Sequence, residues 1–229
     1  MIYAAPVLKV MALHWLRAQH PDAVLACELG LGSYGSGGSL DVAAITPAGI
    51  VDVAAITPAG IVGVEVKGVG DSHARLELQG ERYATVCRHM WLLPAPALEK
   101  ACRKHKPRAW GLLTIDEGGQ RPLNRAPWIL GDHSKRNCPA VLWEMLWAAE
   151  KREVIADLCA LDERMRAHAK KIHDLSEHIP LAALRSLVLW RLCTRDWEHA
   201  GKYTKAQVWK PGDALPELPI ELANVGGRI

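Results

Sequence analysis

The chain has 229 residues, of which 49% are apolar, so it carries enough material for a soluble fold with a real core, either one elaborated domain or a domain plus an extension. A formal net charge of +3 does not by itself announce a nucleic-acid partner. The six cysteines are scattered with no Cys-x-x-Cys pair, which argues against a zinc site or a disulfide framework, and no apolar run reaches the roughly 18 residues of a membrane span.

Ala5 to Gln19 carries Val7, Leu8, Met11, Leu13 and Leu16 at mixed three- and four-residue spacing, which predicts a helix. His20-Pro21-Asp22 ends it. His14, Arg17 and His20 stand where a signal peptide would have its apolar core and cleavage site, so a reduced, cytoplasmic location is expected. Ala23 to Leu31 reads as a strand, and Gly32 to Gly38 as a glycine-rich loop. Eleven residues, Asp-Val-Ala-Ala-Ile-Thr-Pro-Ala-Gly-Ile-Val, then occur twice in succession, at 41–51 and 52–62. Each copy is β-rich and broken by Thr-Pro-Ala-Gly, which suits a type I turn. A helix is expected at about 79–88, a strand at 89–94, a short basic helix at 97–105 and a strand at 110–116. From Pro139 three helical stretches follow, about 139–158, 160–177 and 180–200, before an irregular proline-rich tail. The order is that of a mixed α/β domain, with a boundary near Leu123–Trp128.

The second copy of the repeat runs into Gly63-Val64-Glu65-Val66-Lys67. With Thr57 to Gly60 as a hairpin turn, Ile56 faces Ile61, Ala54 faces Gly63 and Asp52 faces Glu65. Strand alternation puts Lys67 on the face of Glu65. Opposed carboxylates about 5 Å apart repel unless a cation lies between them. Oxygen donors without His or Cys suit Mg²⁺ or Mn²⁺, and Lys67 would bring positive charge to the same place. The plain alternative is a solvated hairpin face. Glu28 ends the first strand and could reach the same ion, or be an ordinary surface glutamate. Gln79 and Tyr83 lie one helical turn apart on one face.

Asp52, Glu65-Val-Lys67 and Gln79-x-x-x-Tyr83 in this order resemble the PD-(D/E)XK nuclease superfamily, in its RecB-type or MmcB-like and VRR-type branches. The stretch from Glu28 to about Leu123 carries the resemblance, with Met90-Trp-Leu-Leu-Pro94 and Gly111-Leu-Leu-Thr-Ile115 as further strands. It implies a restriction-endonuclease-like core (mixed β-sheet flanked by helices, αβββαβ) at 1–126 and a helical extension at 127–229. It implies that Glu28, Asp52 and Glu65 bind Mg²⁺ or Mn²⁺, that Lys67 acts on the attacking water, and that Gln79 and Tyr83 orient Lys67 and the phosphate. The implied reaction is hydrolysis of a DNA phosphodiester.

The repeat leaves open which aspartate is used. Copy one either loops out, adds a strand, or donates its strand to another chain, in which case Asp41 replaces Asp52 and a homo-oligomer forms. Lys100, Arg103, Lys104, Lys106 and Arg108 crowd into nine residues, either to cradle a DNA backbone or as a solvated basic helix. Trp143, Trp147 and Trp190 read as core. The rival reading is a nuclease-fold module that binds DNA or assembles without turnover.

Overall fold

The computed structural model describes residues 3–30, 50–115, 122–124, 130–161, 179–200 and 206–218. Asp41, most of the first repeat copy and all but the first two residues of the helix expected at 160–177 lie outside these residues.

Helix α1 spans Ala5–Gln19, with Pro6 at its start, where a missing N–H is harmless. Its buried face is Leu8, Met11, Ala12, Leu13 and Leu16, the stripe expected from the spacing. Strands β1 (Val24–Gly30), β2 (Ile50–Thr57) and β3 (Gly60–Lys67) form an antiparallel meander. Pro58 and Ala59 turn β2 into β3, and the Thr57 hydroxyl closes the turn by donating to the Gly60 carbonyl at 2.8 Å. Gly60 sits at φ 150, and a side chain there would meet Arg88 Cβ at 2.7 Å.

Helix α2 (Leu76–Ala84) crosses over to β4 (His89–Pro94), which pairs parallel with β3. Helix α3 (Glu99–His105), entered through a 3₁₀ turn at Pro96–Leu98, crosses to β5 (Gly111–Ile115), parallel to β4. Strand β6 (Pro122–Asn124) adds to β5, and β7 (Gln207–Trp209) adds to β1. The sheet order is β6-β5-β4-β3-β2-β1-β7. The protein is therefore α/β, with an open mixed sheet flanked by helices.

Each face of the sheet carries its own core. Helix α1 covers Leu25, Val53, Val62, Val64 and Leu93. The other face holds Ala26, Ala54, Ile56, Met90 and Leu92 beneath α2 and the C-terminal helices. Those helices are α4 (Pro139–Glu144), α5 (Ala148–Leu161), α6 (Leu181–Thr194) and α7 (Trp197–Ala200). Trp143, Leu184 and Val188 join the same apolar cluster as Ala54 and Ile56, so residues on both sides of 126/127 build one layer.

Several boundaries differ from expectation. Helix α2 begins at Leu76 and ends at Ala84, ahead of the expected 79–88. The expected single helix at 139–158 breaks between α4 and α5, where the Glu150 carboxylate accepts the Trp147 N–H at 2.7 Å and caps α5. The tail is not wholly irregular, because β1 exposes an unpaired edge that β7 fills.

Candidate active site

Strand β3 lies between β2 and β4, and all eight of its residues are buried. Two of those are charged: Glu65 is 3% exposed and Lys67 5%. Burying such a pair is unfavourable unless every polar atom is satisfied. Here the satisfaction is thorough. Lys67 Nζ donates to Glu65 Oε1 at 2.8 Å and to Gln79 Oε1 at 3.2 Å. Gln79 Nε2 donates to Glu65 Oε1 at 2.7 Å. The Tyr83 hydroxyl lies 2.9 Å from Glu65 Oε2. The four residues expected from the sequence to act together therefore form one connected network at the carboxyl end of β3. Helical spacing on α2 delivers Gln79 and Tyr83 to the same strand. Tyr83 is fixed further by stacking on Trp110, with ring centroids 5.8 Å apart.

Burial, and next the Asp52 charge, push the Glu65 pKa above the usual glutamate range, with Lys67 and Tyr83 opposing. Burial and then Glu65 hold the Tyr83 hydroxyl well above the usual tyrosine range, so it stays protonated.

The hairpin register is as expected for Ile56–Ile61 and Ala54–Gly63, but the ladder ends at Val53–Val64. Asp52 does not pair with Glu65 across it. Its Oδ2 instead accepts the backbone N–H of Val66 at 2.9 Å. The departure is shared with β1. Glu28, which stands across from Asp52, adopts φ 56, a left-handed conformation rare outside glycine. Cys27 and Val53 belong to the core under α1, whereas Leu29 and Val51 belong to the opposite core. Regular alternation would keep 27 with 29 and 51 with 53. The alternation slips by one at Glu28 and Asp52 together, so both carboxylates leave the sheet plane beside α1. Strain of this kind concentrates at functional sites.

There both meet a residue that the motif reading missed. Lys9 of α1 lies 3.2 Å from Glu28 Oε1 and 3.3 Å from Asp52 Oδ1. Burial opposes its charge, but Asp52 and Glu28 prevail and raise its pKa. The sequence held one hint: Lys9 is the only Lys, Arg, Asp or Glu before Arg17, set among apolar residues from Ala5 to Leu13.

Among the described residues, no three His, Cys, Asp or Glu side chains are grouped as a ready metal site. The donor chemistry nevertheless fits a hard cation. Glu28 and Asp52 already hold one positive charge between them, the Lys9 ammonium, and the Asp52 charge reaches Glu65.

The basic segment divides. Lys100, Arg103, Lys104 and Arg108 are exposed, and Arg103 pairs with Glu99 one turn away at 2.6 Å. Lys106 turns inward and donates to the Trp110 carbonyl at 2.7 Å, so its ammonium serves the chain itself. Helix α3 stands close to the site. Gly80 of α2 admits Pro107, where a Cβ would lie 2.4 Å from the proline Cγ, and the His73 and His105 rings are 4.7 Å apart.

Comparison with known proteins finds no matching family model, no matching curated protein and no matching solved structure. Among the described residues, no helix is long and apolar enough to cross a membrane. All six cysteines are free.

Proposed function

We propose that this protein is a divalent-metal-dependent nuclease with a restriction-endonuclease-like core, hydrolysing phosphodiester bonds in DNA. One observation carries the reading: Lys67, Gln79 and Tyr83 converge by hydrogen bonds on Glu65, while Asp52 accepts the neighbouring Val66 amide and is joined to Glu28 through Lys9. The element order α1-β1-β2-β3-α2-β4 supports the same fold assignment.

Glu28, Asp52 and Glu65 would hold Mg²⁺ or Mn²⁺, which supplies Lewis acidity toward the phosphate and a more acidic bound water. Lys67 brings a fixed positive charge beside the reacting phosphate, held in place by Gln79. Gln79 and Tyr83 keep Glu65 in one orientation. The exposed cations of α3 supply salt-dependent attraction for the DNA backbone.

The test is incubation of the purified protein with plasmid and linear DNA in Mg²⁺, in Mn²⁺ and in EDTA. Cleavage with either metal, absent in EDTA and in a Lys67→Ala protein shown by circular dichroism to be folded, is the expected result. Intact DNA under all conditions, with no binding, overturns the reading.

A second reading, a DNA-binding module without turnover, draws on a specific observation. Lys9 spans Glu28 and Asp52, and the carboxylate oxygens of Glu65 are already hydrogen-bonded. Measurable binding without cleavage would favour it.

A further inference from the structure

The cation that joins Glu28 to Asp52 comes from another layer of the fold. Lys9 reaches down from α1 to contact one oxygen of each carboxylate, at 3.2 and 3.3 Å. Its side chain is 22% exposed and that of Asp52 23%, so solvent screens this contact only in part, whereas Glu28, at 47%, is open to water. A single ammonium balances only one of the two negative charges. A divalent ion would balance both, and two cations cannot share the same gap.

A second observation gives the ammonium somewhere to go. A cleft of about 330 Å³ opens beside it, lined by Pro6, Lys9, Val10, Glu28, Gln207 and Trp209 among others. Among the described lining residues Lys9 is the sole cation, so nothing there repels a displaced ammonium. Its flexible four-carbon stem allows the swing. The cleft exists because β7 extends the sheet past β1, leaving a trough between the tail and α1.

We propose that Lys9 is a resident counter-ion of the Glu28–Asp52 pair, which a divalent cation must displace into the cleft in order to bind. Helix α1 thereby sets the metal affinity of the site. The lysine holds two mutually repelling carboxylates in place before metal arrives, and lowers the affinity for metal in return. This rests on the metal-dependent reading above.

The test is a Mn²⁺ titration of the full chain by calorimetry and by loss of the free-ion electron paramagnetic resonance signal. Wild type is compared with Lys9→Met, Lys9→Gln and Lys9→Arg. The uncharged variants should bind Mn²⁺ about tenfold more tightly, a typical coupling between two sites, and Lys9→Arg should not. In EDTA the uncharged variants should melt below wild type, and Mn²⁺ should raise their melting temperature by the larger increment. Lys9→Gln serves if Lys9→Met does not fold. Equal or weaker Mn²⁺ binding by the uncharged variants overturns the role of Lys9 and leaves the metal site standing. Binding by none of the proteins removes the metal site and the proposal together.

Discussion

The Tyr83 hydroxyl lies 2.9 Å from Glu65 Oε2 and 2.7 Å from the carbonyl oxygen of Ile50. It has one proton for two acceptors. Tyr83 thus links the buried carboxylate of β3 to the first residue of β2. Tyr83→Phe keeps the stack on Trp110 but removes the one proton that the two oxygens share. The expected loss is about 1–3 kcal/mol of stability, measured by denaturant unfolding, with reduced DNA hydrolysis. A fully active variant would show that Glu65 needs no orientation from α2.

Glu65 and Lys67 are partners inside the sheet, so removing either strands the other. Both are buried, so a substitution at either position changes the stability of the fold as well as the chemistry. Lys67→Met should destabilise the metal-free protein by about 3–5 kcal/mol. The double variant Glu65→Gln/Lys67→Met should recover much of that loss. A double-mutant cycle by chemical denaturation checks it, and strictly additive losses would contradict the pairing.

The pH dependence of Glu65 has a definite sign. Its folded pKa lies above the ordinary 4.5, chiefly through burial and then the Asp52 charge. Folding therefore favours the protonated carboxyl. Its contribution to stability is complete below about pH 4.5 and is lost as pH rises through the folded value. Glu65→Gln, which cannot ionise, should gain on wild type as pH rises. Melting curves in EDTA across this range provide the measurement. A variant that loses ground instead would mean that Lys67 and Tyr83 outweigh burial.

The repeat yields a separable prediction. In the described chain the second copy supplies Asp52 to Lys9 and to the Val66 amide. Asp52→Asn should then abolish cleavage, while Asp41→Asn should leave it intact. Deletion of 41–51 should retain fold and activity. Loss of activity in Asp41→Asn alone, seen in a DNA cleavage assay, would point to strand exchange between chains.

A buried ion pair ties the helical layer together. Arg195 is 8% exposed, donates through Nε to Glu150 Oε1 at 2.7 Å and through Nη2 to the Met145 carbonyl at 2.9 Å. Its guanidinium lies 4.1 Å from the Trp147 ring centre and 4.7 Å from that of Trp197. Arg195→Met leaves Glu150 buried and unpaired. A loss of about 3–5 kcal/mol is expected in thermal or denaturant unfolding. An unchanged stability would show that the C-terminal helices are held by apolar packing alone.

Local chemistry was legible from the chain itself. The apolar stripe of α1, the alternating valines of β3 and the one-turn spacing of Gln79 and Tyr83 are short-range patterns fixed by helix and strand periods. They put Glu65 with Lys67 on one strand face and Gln79 with Tyr83 on one helix face, and the resemblance to the nuclease superfamily joined the two pairs into one expected site. Tertiary structure alone decided the rest. The slip of alternation at Glu28 and Asp52 coincides with one left-handed residue on β1, which no strand pattern encodes. Lys9 joins the site across layers, 43 residues before Asp52, so no spacing rule links them. Periodicity fixes which face a side chain takes. Which charges meet across layers follows from how the whole sheet is covered.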